Sequence, residues 1–322
     1  MNDLIIGNTQ INPGKRQTVD LPIGRLPSQA MLSMPVSVIR GKQDGPRLWI
    51  SAAIHGDEIN GVEIIHRILE FIRNREIKGT LIAVPIVNIF GFSQQSRYLP
   101  DRRDLNRCFP GSRGGSLAAR LASIFIREIV DNSTHGIDIH TGAIHRCNLL
   151  QIRCNPACQA SLALASAFQP AIVVTKRPIK GTLRWSATKK NKPNILIEAG
   201  EALRFSEGLI ENSTQGILRT MAHLGMLDDL TSYPTDTTRF SSKTHWVRAK
   251  LGGLFQTQVE LGQSVEKGAL LGKITDVLGK LNVKIKAQNS GVIIGLTKNP
   301  LVYQGDALVH VAIIDDKSNT LP

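Results

Sequence analysis

Between Leu48 and about Leu227 the chain alternates apolar runs of strand length with segments of helical period. This pattern constrains it more than any other feature, because it predicts an α/β domain with a largely parallel, doubly wound sheet. The strand candidates are Leu48–Ile54, Thr80–Val87, Gly136–His140, Ala171–Thr175 and Asn194–Glu198. Between the first two, Val62, Ile65, Leu69 and Ile72 recur at helical spacing, and Leu117–Val130 and Ile210–Leu224 read as further amphipathic helices. Around Asp228–Lys243 the composition shifts to Ser, Thr, Asp and Pro without periodicity, which reads as a linker. Beyond it, short β-like runs are punctuated by glycine, as in Gly252-Gly253-Leu254, Val265-Glu266-Lys267-Gly268 and Gln304-Gly305-Asp306, the texture of a small all-β module. Two domains are expected, residues 1–235 and 244–322. With 322 residues, 42% hydrophobic and 20% charged, the chain can bury a large core, which excludes a disordered, collagen-like or coiled-coil protein.

The chemistry concentrates where strand candidates end. Ala52-Ala53-Ile54-His55-Gly56-Asp57-Glu58 puts a His and a Glu three apart past a strand's C-terminal end, the edge of an α/β sheet where ligands bind. Imidazole nitrogen and carboxylate oxygen suit Zn²⁺, whose catalytic sites use three protein ligands and keep a position for water. A surface turn with a first-turn helix acid explains the same pair without a metal. His140 ends a second strand, Ile137-Asp138-Ile139-His140, and in a parallel sheet it would project from the same edge as His55. Asp138 shares a strand face with His140 and could brace it. Glu198 follows the apolar run Ile195-Leu196-Ile197, where a carboxylate needs a partner, and a water awaiting deprotonation would be one. Between the histidines lies Asp104-Leu105-Asn106-Arg107, whose arginine offers a fork for a carboxylate unless it pairs with Asp104.

His-Gly-Asp-Glu after a strand, then Asp-Leu-Asn-Arg, then Asp-Ile-His-Thr-Gly, then a strand ending Ile-Glu-Ala-Gly-Glu resembles the succinylglutamate desuccinylase/aspartoacylase family, in that family's order. The family shares the fold and mechanism of the zinc carboxypeptidases, which implies a larger domain with a mixed, largely parallel sheet. The resemblance implies one zinc ion per chain held by His55, Glu58 and His140, with Glu198 as general base on the zinc water. It implies that Asn106 and Arg107 bind the substrate carboxylate and that Arg184, in Gly181-Thr182-Leu183-Arg184, is a further substrate-side arginine. An upstream arginine polarises the scissile carbonyl in the family; Arg97, Arg102 and Arg103 compete for that role, and Arg97-Tyr98 resembles the Arg-Tyr of aspartoacylases. The family's substrate-side tyrosines have no secure match among Tyr98, Tyr233 and Tyr303. The stretch from Thr244 to Ile314 resembles the barrel-sandwich hybrid fold of biotinyl and lipoyl carriers, without the Met-Lys-Met signature around Lys280 that a carrier would need.

The expected activity is a zinc-dependent amide hydrolase acting on a small anionic N-acyl amino acid or related amide. A carboxypeptidase for short peptides uses the same machinery, and a non-catalytic basic binding module is the reading from another class. Lys+Arg 39 against Asp+Glu 26 gives a formal +13. Pro85–Arg120 contributes +4 (six arginines, two aspartates) and Lys176–Lys192 contributes +7 (seven basic residues, no acid), so +11 of the +13 sits in two segments. Each holds a residue assigned to the site, Arg107 or Arg184. At 5% aromatic the chain lacks the stacking residues of a nucleic-acid surface, so steering of anionic substrate accounts better for the charge. Lys189, Lys190 and Lys192 read as a solvated helix end. No apolar stretch reaches the roughly 20 residues of a membrane span. The start of the chain has no secretion signal, so a cytoplasmic location with four reduced cysteines is expected. Cys154-Asn-Pro-Ala-Cys158 has no second cysteine pair to complete a zinc knuckle. The C-terminal module could cap the larger domain or pair two chains into a homo-oligomer.

Overall fold

The computed structural model describes residues 3–228 and 238–315, so most of the expected linker, and Tyr233 with it, lies outside the described residues. The alternation of apolar runs forms a sheet covered on both faces. Leu48, Ile50 and Ala52 point to one side, where Ile64, Ile65 and Ile68 of the helix Asn60–Phe71 pack with Leu162, Ala165 and Ile217. Trp49 points to the other, against Ala118, Leu121 and Phe125 of the helix Leu117–Phe125 and Leu183 and Ala187 of the helix Leu183–Lys189. Each fully buried Leu, Ile or Phe contributes roughly 1.5–3 kcal/mol. These two clusters therefore hold the sheet between helices. The expected helix through Val130 is continuous but widens into a π-helical turn at Ile126–Val130.

Strands Arg47–Ala52, His135–Gly142 and Asn194–Glu201 are neighbours and mutually parallel, so their C-terminal ends share one edge. The sheet is mixed, as the resemblance implies, with antiparallel pairs taking a larger share than expected. A hairpin, Arg16–Arg25 with Met31–Arg40, adds antiparallel to Thr80–Val84, and Arg146–Cys154 runs antiparallel to Asn194–Glu201. The hairpin shows the strand period: Val19, Leu21 and Ile23 are buried, as are Met34, Val36 and Val38. The last residues of the expected linker are also strand, since Arg239–Ser241 pairs in parallel with Ile172–Thr175. Three residues are too few to show a period in sequence.

From Arg239 to Ile313 the described elements are all strands. Two groups form. Asn282–Lys286, Leu270–Thr275, Gly253–Thr257 and Leu301–Val302 make a four-stranded sheet. Gly291–Thr297, Ala307–Ile313 and Lys243–Arg248 instead continue the large sheet outward from Arg146–Cys154. Phe255, Leu271, Ile274, Ile285 and Val309 fill the space between the two groups. No helix among the described residues is long and apolar enough to cross a membrane.

Candidate metal centre and substrate cavity

His55 and Glu58 sit on the turn after Arg47–Ala52. The chain can turn there because position 56 is glycine: a Cβ on Gly56 would overlap the Gly91 backbone, and the Gly56 N–H donates to the Ser96 carbonyl at 3.0 Å. His140 arrives from His135–Gly142, in the row beside Glu198 of the neighbouring parallel strand. Glu58 lies between the histidines, with Oε1 2.7 Å from His55 Nδ1 and Oε2 2.8 Å from His140 Nδ1. One donor atom from each of the three residues lies within 4.8 Å of the others, and all three residues are buried.

The outer ring nitrogens are held by carboxylates. His55 Nε2 is 3.1 Å from Asp104 Oδ1, and His140 Nε2 is 2.8 Å from Asp138 Oδ2. Asp138 Oδ1 in turn accepts from the Ser51 hydroxyl at 2.8 Å. Two imidazoles braced from behind by carboxylates, with Nδ1 turned toward a third carboxylate, match the donor chemistry of a three-ligand zinc site. Burial by itself would raise the Glu58 carboxyl, but the two histidines outweigh it and hold the group well below the usual carboxylate range. Burial likewise disfavours the His140 imidazolium, yet Asp138 and Glu58 draw its proton affinity well above that of a free histidine.

Glu198 is buried beside this group. Its Oε2 accepts from Asn148 Nδ2 at 2.7 Å and its Oε1 faces Arg153 Nη1 at 3.3 Å. Asn148 and Arg153 both reach it because the pairing of Arg146–Cys154 with Asn194–Glu201 shifts by one residue there.

Arg97 bridges Glu58 (3.2 Å) and Asp104 (3.0 Å), whereas Arg102 and Arg103 are exposed and do not line the cavity. Asp104 is committed to His55, Arg97 and the Asn106 N–H, so the loop ion pair with Arg107 does not form. Asn106 is buried, and its Oδ1 accepts from the Leu183 N–H at 2.9 Å. A second tie, Phe109 N–H to the Gly181 carbonyl at 2.9 Å, fastens the Asn106-Arg107 loop to the loop carrying Arg184. Arg184 is 9% exposed, its Nη1 has no hydrogen-bond partner among the described residues, and burial together with Arg153 pushes its pKa down to about 10.

His55, Glu58, His140, Glu198, Arg97, Asn106, Arg107 and Arg184 line one cavity of about 230 Å³. Neither Tyr98 nor Tyr303 reaches it. Its wall includes residues that the sequence analysis missed: Arg146, Asn148 and Arg153 on the antiparallel strand, Ile179 in the loop before Arg184, and Trp246 from the C-terminal strands. The polar residues Arg146, Asn148, Gln151 and Arg153 fall on opposite parities because of the register shift, which hid the strand's period. Of the two basic segments, only Arg97, Arg107 and Arg184 are cavity-lining cations. Lys189 and Lys190 end the Leu183–Lys189 helix, with Lys190 2.8 Å from Asp131, while Arg113 and Arg120 lie on a separate surface depression. Among the described residues no cysteine belongs to a metal-ligating group, and all four cysteines are unpaired.

Fold and site define an α/β protein with a candidate metal centre at the C-terminal edge of a mixed sheet. The chain belongs to the succinylglutamate desuccinylase/aspartoacylase family: residues 44–224 match the model of the succinylglutamate desuccinylase/aspartoacylase catalytic domain. It is 24% identical over 293 residues, 87% of this chain and 85% of the relative, to the N-alpha-acetyl-L-2,4-diaminobutyric acid deacetylase of Halomonas elongata. The product-bound structure of the ectoine utilization protein EutE (DoeB) from Ruegeria pomeroyi shares the fold, with a TM-score of 0.84, 24% identity and coverage of 94% of this chain and 96% of that one. A succinylglutamate desuccinylase from Silicibacter sp. TM1040 also superimposes at a TM-score of 0.84, with 21% identity over 98% of this chain and 100% of that one.

Proposed function

We propose that this protein is a zinc-dependent amide hydrolase that removes the acyl group from a small anionic N-acyl amino acid. One observation carries the reading: the His55–Glu58–His140 donor set and the Glu198 carboxylate share one small cavity. At about 230 Å³ the cavity falls below the ~300–1,000 Å³ typical of sites that enclose drug-sized ligands, which favours a small substrate over a peptide. The deacetylase activity named for the Halomonas relative supports the same bond type.

His55, Glu58 and His140 would hold the zinc ion, which when bound supplies Lewis-acid polarisation and acidifies a water. Glu198, aimed by Asn148 and Arg153, takes the proton of the attacking water and returns it to the leaving amine. Arg97 brings positive charge to the oxygen that becomes negative as the carbonyl is attacked. Asn106 spends its carbonyl on Leu183 and keeps its amide NH₂ for substrate, while the Arg107 and Arg184 guanidiniums have no ion-paired acid among the described residues and hold substrate carboxylate. The strands from Lys243–Arg248 onward are read as a barrel-sandwich module, residues 244–322, attached to a hydrolase domain, residues 1–235.

Zinc-loaded protein assayed against a panel of N-acyl amino acids and dipeptides tests this. We expect near one zinc per chain, cleavage of at least one N-acyl amino acid, and loss of turnover with zinc retained in Glu198→Gln. Full activity of metal-replete Glu198→Gln would remove Glu198 as the base; preferred cleavage of dipeptides would make the protein a carboxypeptidase.

A further inference from the structure

Four adjacent strands line up one row of residues that runs from Asn148, the donor to Glu198, into the C-terminal strands. Asn148 is paired with Gly295, Gly295 with His310, and His310 with Trp246. The glycine lets the row close up. A Cβ at Gly295 would stand 3.0 Å from Asn148 Oδ1, 3.1 Å from His310 Cβ and 3.5 Å from Trp246 Cη2, so any larger residue would press on both neighbours. Trp246 lies flat on His310, with ring centroids 4.3 Å apart and planes 9° from parallel. The Arg146 guanidinium carbon stands 5.3 Å from the centre of the same indole, within cation–π range. Trp246 and Arg146 both line the cavity that holds His55, Glu58, His140 and Glu198.

The cavity arginines fall into two groups. Arg97 and Arg153 are paired to carboxylates, at 3.0–3.3 Å. Arg146 has no carboxylate within 4.0 Å among the described residues, and the indole is what fixes its place. A guanidinium left without an acid but located by an aromatic face can meet substrate without first breaking an ion pair.

We propose that Trp246 is a specificity-determining residue of the site: it forms a wall on which the substrate rests, holds Arg146 over the cavity, and makes the C-terminal strands part of the active site. This rests on the amide-hydrolase reading for the reaction but not for the binding. Gly295 is the positioning residue that makes room for it.

The test compares wild type with Trp246→Phe, Trp246→Ala, Arg146→Gln, the Trp246→Ala/Arg146→Gln double variant and Gly295→Ala. All are zinc-loaded and checked by thermal melting. Kinetics use the N-acyl amino acid best cleaved by wild type, and calorimetry uses that compound together with succinylglutamate and N-alpha-acetyl-diaminobutyrate. Trp246→Ala should raise KM about tenfold while kcat changes far less, and should alter the ranking of the three compounds. Trp246→Phe should recover most of the loss. The double variant should be little worse than Trp246→Ala, since removing the indole already releases Arg146. Gly295→Ala should shift KM in the direction of Trp246→Ala. A folded Trp246→Ala with unchanged KM and unchanged ranking, or strictly additive effects in the double variant, would overturn the proposal. If wild type binds a compound but cleaves none, the hydrolase reading fails and the calorimetric contrast between wild type and Trp246→Ala still decides the role of Trp246. If wild type binds none of the three, both fail.

Discussion

Asp138 illustrates how much of this site lies one step behind the three residues proposed to hold a metal. Its Oδ2 holds His140 Nε2 and its Oδ1 is satisfied by Ser51, so the imidazole can present only Nδ1 to the centre. Asp138→Asn keeps the shape and removes the charge. Zinc affinity should fall roughly 10–100-fold, read by competition with a chromophoric chelator, while Ser51→Ala should cost less because the carboxylate remains. Unchanged affinity in Asp138→Asn would leave Asp138 a purely structural residue. At this scale the cluster was legible in the sequence: His55, Glu58 and His140 stand at strand ends that share one edge, Glu198 follows an apolar run where a stranded carboxylate is costly, and the fold brings all four to one cavity. Arg146 and Trp246 were not legible. One sits on a strand whose period is broken by a register shift, and the other arrives from a part of the chain about 100 residues away in sequence.

The short helix Leu183–Lys189 carries Arg184 into the cavity from its first turn. A helix of this length is marginal on its own and depends on its cap and its packing. Thr182 supplies the cap, its Oγ1 accepting from the Trp185 N–H at 3.2 Å, and Leu183 and Ala187 supply the buried face. Thr182→Ala should destabilise the protein by about 1 kcal/mol and raise KM, because a frayed first turn lets Arg184 drift. Chemical denaturation and steady-state kinetics on the same variant check both parts; lost stability with an intact KM would show that Asn106 and Gly181 hold the loop by themselves. The long helices and central strands followed from periodicity: of the stripe Val62, Ile65, Leu69 and Ile72, Ile65 and Ile72 are buried and Val62 and Leu69 half-buried. The antiparallel hairpin Arg16–Arg25/Met31–Arg40 and the strand at Arg239–Ser241 did not, because pairing partners are chosen by the sheet they join rather than by local pattern.

Across the whole molecule two effects of charge are open to measurement. Arg107, Arg146 and Arg184 face the cavity without acid partners among the described residues, so kcat/KM for a dianionic substrate should fall about tenfold between low salt and roughly 0.3 M salt. A flat response would mean that the two basic segments do not steer substrate. The second effect concerns stability. Burial, aided by Arg153, Lys176, His245 and Arg146, pushes His310 down to about 3 from 6.5. The unfolded chain therefore takes up a proton near pH 6.5 that the folded chain refuses until about pH 3. Stability from this group is complete above pH 6.5 and drains away as pH falls toward 3, amounting to about 2 kcal/mol lost by pH 5. Melting temperatures of wild type and His310→Gln across that range should converge as pH falls; parallel curves would exclude His310 as the source. The local order of residues carried the fold class and the four motifs, because periodicity and the cost of stranding a polar side chain act within a few residues. The closing of the cavity was decided only when strands distant in sequence were brought side by side, since Gly295 matters only when Asn148, His310 and Trp246 crowd around it.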